Sequence, residues 1–120
     1  MTFQADVPQQ ADLAARLAPI RAHFVATLAP RRERLTSYLR SADFRNPDPA
    51  TMRVLQEDAH KMRGVAPTLG FESLGRVAGE VDEMLNPWKE ALAVIEVPPE
   101  LELALETLLD AIEETIAKGP

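Results

Sequence analysis

Residues 57–74 read EDAHKMRGVAPTLGFESL, and the fold turns on how they are read. Taken with the residues just upstream, the apolar positions are Met52, Leu55, Ala59, Met62, Ala66 and Leu69, an unbroken 3-4-3-4-3 spacing. That is the stripe of a helix packed in a bundle. The spacing predicts a helix over about 49–69. Asp48 is a natural N-cap and Pro49 a natural first residue. Gly70 suits the left-handed position that closes a helix. Helical residues advance by about 100° each, which sets His60 about 120° from the centre of the stripe. Gln56, Gly64 and Pro67 fall on its side; Arg63 lies a turn on, near the core edge, and Lys61 points further into solvent. A mid-helix glycine loses about 1 kcal/mol to alanine. Gly64 therefore needs a reason, either a helix crossing or the close approach of another molecule.

Outward from this stretch, nearly every apolar run is helical and no strand is convincing. Residues 10–29 carry Leu13, Leu17, Ile20, Phe24 and Leu28 at steps of three or four. Pro19 is expected to kink or restart this run, and Pro30 to break it again. Residues 31–42 follow with Leu35, Tyr38, Leu39 and Ala42. DFRNPDPAT, from Asp43, is the clearest loop. A segment over about 72–95 carries Leu74, Val77, Ala78, Val81, Met84, Leu85, Trp88 and Leu92, with Pro87 interrupting it near Asn86. VPPE at 97–100 turns the chain into a last helix over about 99–117, with Leu101, Leu105, Leu108, Leu109, Ile112 and Ile116 on its stripe. Short connections favour an all-α, antiparallel up-and-down bundle. The prolines cut each candidate heptad run too early for a coiled coil.

The chain has 120 residues, 46% apolar and 27% charged, the profile of one folded domain over 1–120. It has no cysteine, which excludes disulfides and thiolate metal sites. No apolar run approaches the roughly 20 residues of a membrane span, and the N-terminus does not read as a signal peptide. A cytoplasmic protein, monomeric by default, is expected. The net charge of −6 argues against a nucleic-acid binder.

The surroundings of His60 have a chemical use if it is a nucleophile toward a phosphoryl group. Imidazole has a reference pKa near 6.5, so its neutral form, with a free lone pair, is available at about pH 7. Gly64 leaves room for an incoming protein. Arg63 and Lys61 offset the charge that a phosphoryl group brings. Such a transfer asks for positioning and charge compensation more than covalent machinery. The plain alternative is a surface histidine beside two cations.

AHKMRGVAPTLGFESL resembles the signature of histidine-containing phosphotransfer (HPt) domains: Ala-His-x-Leu-Lys-Gly-x-Ala, three residues, Gly, an apolar residue, and Leu three positions on. Ala59, His60, Gly64, Ala66, Gly70, Phe71 and Leu74 are in register, with Met62 for leucine and Arg63 for lysine. The likeness extends over about 20–85. It implies a four-helix bundle (about 30–117) with an additional N-terminal helix in an arm (about 1–29). It implies His60 as phosphoacceptor on the ring nitrogen farther from the backbone, with Arg63 and Lys61 steadying the phosphoryl group and Gly64 giving access. It implies receiver domains of response regulators or hybrid kinases as partners, which supply the aspartate and Mg²⁺, with no cofactor of the domain's own. Nothing in the chain resembles a Gly-rich phosphate loop. Pro67 departs from the pattern and is expected to bend the helix near the site.

Gln56, Pro67 and Phe71 are candidate docking residues, with Val65 and Leu69 on the same apolar rim. Glu57-x-x-His60 is half of a di-iron motif but lacks its second half, since Ile20 stands three before His23. His23 is read as a surface or boundary residue, Met84 and Trp88 as packing. EVDE and LDAIEE are read as solvated faces, and PRRER at 30–34 as a solvated turn with local ion pairs. The competing function is a helical adaptor that binds a receiver or kinase without transferring anything.

Overall fold

The computed structural model describes residues 3–120, with side chains from Asp12 onward. Met1 and Thr2 of the expected arm lie outside the described residues. Four α-helices make up the described chain: α1 (Phe3–Leu39), α2 (Pro49–Val65), α3 (Glu72–Met84) and α4 (Pro99–Lys118), with a 3-10 turn at Asn86–Trp88. α2 packs on α3, α3 on α4 and α4 on α1; α1 and α2 touch least. The facing pairs His60–Asp82, Arg63–Gly79 and Pro67–Gly75 make α2 and α3 antiparallel. This is the expected up-and-down bundle.

The expected restart at Pro19 and break at Pro30 do not occur, and the arm and the first bundle helix are one element. Each proline frees the carbonyl four residues back, at Ala15 and Ala26. Both prolines and both alanines are exposed, so water can take up those carbonyls. Phe24 and Leu28 before Pro30, and Leu35 and Tyr38 after it, are buried in the same core and hold the helix across the gap. Beyond the bundle, Leu13 and Ile20 are exposed. PRRER is thus helical, not a turn. Its arginines reach across to α2: Arg34 donates Nε and a terminal nitrogen to the two oxygens of Asp58, both at 2.8 Å, and Arg31 lies 3.5 Å from Asp58. This fork holds the least-packed pair of helices together.

α2 starts as expected. The Asp48 carboxylate accepts the Ala50 N–H at 2.9 Å, with Pro49 next. It ends at Val65, four residues early, because Pro67 has no N–H for the Arg63 carbonyl. The chain then winds through turns, with the Phe71 N–H bonded to the Ala66 carbonyl at 2.8 Å and Gly70 at φ +91°. Alanine would be strained at Gly70. α3 stops at Met84, and Pro87 opens the 3-10 turn that buries Trp88. The expected helix to residue 95 is absent. Leu92 is fully exposed and does not belong to the stripe, while Met84 is half-buried against the core. The Val97 N–H bonds to the Arg45 carbonyl at 3.0 Å and pins this stretch to the α1–α2 loop.

Two glycines one turn apart on α3 face α2. A Cβ at Gly75 would overlap the Pro67 ring, whereas one at Gly79 would sit in ordinary contact, at 3.5 Å, with the Arg63 side chain. A proline ring cannot swing aside, so overpacking at Gly75, about 1–3 kcal/mol, outweighs the helix-propensity gain of about 1 kcal/mol. Gly75→Ala is expected to destabilise the fold by up to about 2 kcal/mol. Gly79→Ala is expected to stabilise it by up to about 1 kcal/mol. Urea denaturation of the two variants tests the pair, and equal effects of one sign would refute this account.

Candidate functional site

His60 follows the fully buried Ala59 on α2, so its ring leaves the edge of the stripe rather than its centre. Its side chain is 69% exposed. It is not free, however. Nδ1 lies 3.0 Å from Oδ2 of Asp82 on α3. Asp82 is only 6% exposed and sits among Ala78, Val81 and Leu85, all fully buried. Its other oxygen accepts the Gln56 side-chain N–H at 2.7 Å, and Arg63 donates to Oδ2 at 3.3 Å. Every one of these donors comes from α2.

Burial alone would raise the Asp82 carboxyl. The hydrogen bonds from His60, Gln56 and Arg63 outweigh it and hold the group below the usual carboxylate range. An ionised carboxylate only accepts, so in a neutral His60 the proton sits on Nδ1. The lone pair is then on Nε2, to which nothing among the described residues hydrogen-bonds. The cluster thus selects a tautomer and aims it.

The remaining expected residues divide clearly. Lys61 is exposed. Arg63 is half-exposed, its stem lying over Gly79 and its guanidinium held loosely by Asp82 and, at 3.5 Å, by Glu83. A Cβ at Gly64 would meet nothing within 4 Å, so no helix crossing accounts for this glycine. The space beside His60 is open. Gln56, expected on the docking surface, is instead 5% exposed and turned into the cluster. Its short polar chain reaches a buried charge, which repays its desolvation. Phe71, also expected there, is half-buried and turned toward α1, stacked on Phe24 with 5.6 Å between centroids and capped by Arg21 at 5.3 Å. Leu69 belongs to the core, while Val65 is exposed. Pro67 is exposed overall, but its ring abuts Gly75. His23 is exposed on α1. Among the described residues no three His, Asp or Glu side chains converge as a metal-holding group.

Asp82 is the residue that the sequence reading missed, because EVDE was taken for a solvated face. A signal was present: Asp82 lies four after Ala78 and three before Leu85, on the edge of the α3 stripe.

The family model of the Hpt domain matches residues 19–115, a span that takes in all of this geometry. The chain belongs to the Hpt domain family. No curated protein and no solved structure gives a match. Hpt domains take part in histidine phosphotransfer in two-component phosphorelays, where they work with receiver domains. No helix among the described residues is long and apolar enough to cross a membrane.

The depressed Asp82 carboxyl makes a prediction about acid stability. A carboxyl lowered in the folded state stabilises the fold above its unfolded value, about 3.9, and that stabilisation fades as pH falls through the folded value. Wild type should therefore exceed Asp82→Asn in stability at neutral pH, with the gap narrowing below about pH 4. Urea midpoints over a pH series measure it. A gap that did not narrow in acid would mean that Asp82 gains nothing from its charge.

Proposed function

We propose that this Hpt domain is a phosphorelay intermediate that accepts a phosphoryl group from a receiver-domain aspartate onto His60 and passes it to another receiver. The observation that carries the reading is the Nδ1 contact with Asp82, which leaves Nε2 as the outward nucleophile. In the forward step the Nε2 lone pair forms the P–N bond as the acyl-phosphate P–O bond breaks. The bonding electrons leave with the receiver's carboxylate. No proton has to move. The ring becomes a phosphorylated imidazolium whose Nδ1–H stays on Asp82, and the buried carboxylate stabilises the developing positive charge. The reverse sequence hands the group to a second receiver.

The receiver supplies the aspartate and Mg²⁺; the metal screens the phosphoryl oxygens when bound there. On this chain, Arg63 is held by contacts long enough to be exchanged for phosphoryl oxygens, and Lys61 adds an exposed charge. Gly64 admits the partner's backbone toward His60. Asp82 thus sets the nucleophile, while Arg63 and Lys61 meet the incoming charge.

A receiver domain phosphorylated on aspartate, mixed with this domain and Mg²⁺, should place acid-labile, base-stable label on His60, located by mass spectrometry and absent in His60→Gln. Arg63→Ala should slow transfer about tenfold, the equivalent of one charged hydrogen bond at the low end of its range. A receiver that binds but leaves no label would replace this reading with the non-transferring adaptor.

A further inference from the structure

Gln56 belongs to the cluster yet is buried and makes no hydrogen bond to the reacting ring. It lies one turn before His60, 5% exposed, and its side-chain nitrogen is 2.7 Å from Asp82 Oδ1. That is shorter than the usual amide hydrogen bond of about 2.9 Å, as befits a charged acceptor. The carboxylate cannot donate, so the Gln56 nitrogen, not its oxygen, must face it.

The consequence concerns a torsion. The carboxylate of an aspartate turns broadly about its last side-chain bond. Asp82 must present Oδ2 to His60 Nδ1, and two other partners, Arg63 on Oδ2 and Gln56 on Oδ1, resist its turning away. Arg63 shares Oδ2 at 3.3 Å and is half-exposed, so it is a poor clamp. Gln56 is buried, shorter-bonded and on the opposite oxygen. An apolar residue at this position would pack without the desolvation that an amide suffers.

We infer that Gln56 is a positioning residue for phosphotransfer: its buried amide locks the Asp82 carboxylate toward His60 and so fixes the tautomer that leaves Nε2 unprotonated. This rests on the proposed role of His60, but its primary test needs no receiver. Gln56→Met keeps the volume and deletes the donor. Nitrogen-15 NMR of the imidazoles, above the ordinary histidine range, reads the tautomer of His60 with the exposed His23 as internal reference. Wild type should show the proton on Nδ1 of His60. In Gln56→Met the Nε2-protonated form should rise at His60 and stay unchanged at His23. An unaltered His60 tautomer in a folded Gln56→Met protein would overturn the inference.

A kinetic split separates positioning from docking. With a phosphorylated receiver, the transfer rate at saturation should fall about tenfold, as for the loss of a residue that orients a reacting histidine. The receiver concentration for half-saturation should not change. A change in half-saturation alone would return Gln56 to a docking role and refute the inference. If Gln56→Met does not fold, the wild-type protein still decides: the Gln56 side-chain N–H resonances should follow the titration of His60 through Asp82. Resonances indifferent to that titration would refute the inference. Wild type with the expected tautomer but no transfer to any receiver would instead refute the proposed function and leave the Gln56–Asp82–His60 linkage standing.

Discussion

A single buried carboxylate governs the arrangement of the face that carries His60. Asp82 is a charge placed among fully buried apolar neighbours, and such a charge is costly unless hydrogen bonds surround it. α3 supplies none of the side-chain donors. Gln56, His60 and Arg63 all come from α2, spread over two turns. The register between the two helices is therefore tied to the site: sliding α2 by one turn would strip the carboxylate of its partners. Holding the bundle together and orienting His60 are one task.

α2 carries the complementary device on its other side. Asp58 is nearly buried and is answered by Arg34 and Arg31 from α1. α1 and α2 are the neighbours that touch least, so this fork acts where apolar contact is thinnest. α2 is thus fixed between an acid it provides to α1 and an acid it receives from α3. The exposed ring of His60 moves with a helix anchored on both sides, which limits its orientational freedom.

The glycines divide the same surface by function. Gly75 is filled from outside by the Pro67 ring, and Gly79 carries the Arg63 stem. Only at Gly75 does the approach of α2 to α3 exclude a side chain. Among the described residues nothing fills the space that a side chain at Gly64 would take. Its helix-propensity cost goes uncompensated by internal packing, and its opening lies beside the exposed imidazole of His60.

Much of this was legible along the chain. The stripe from Met52 to Leu69 placed His60 off the core, Asp48 and Pro49 marked the helix start, and Gly70 marked its close. The HPt likeness followed from residues packed closely in sequence. The restart predicted at Pro19 and the break predicted at Pro30 failed because a proline removes one hydrogen bond locally, at a carbonyl exposed to water in both cases, and at Pro30 the helix is also held by the core that it packs against on either side. Gln56 and Phe71 were read as surface residues because periodicity gives a direction about a helix's own axis. It does not say which neighbour stands in that direction. Asp82 is the same case: an acid at a stripe edge is solvated or buried according to whether another helix covers it. Sequence by itself determined the all-helical class, the start of α2, and the exposed histidine with its open flank, since these depend on local spacing and side-chain chemistry. Only the tertiary structure decided the tautomer of His60, because a ring proton is assigned by a carboxylate 22 positions away in the chain, whose burial and partners exist only once α2 and α3 are packed.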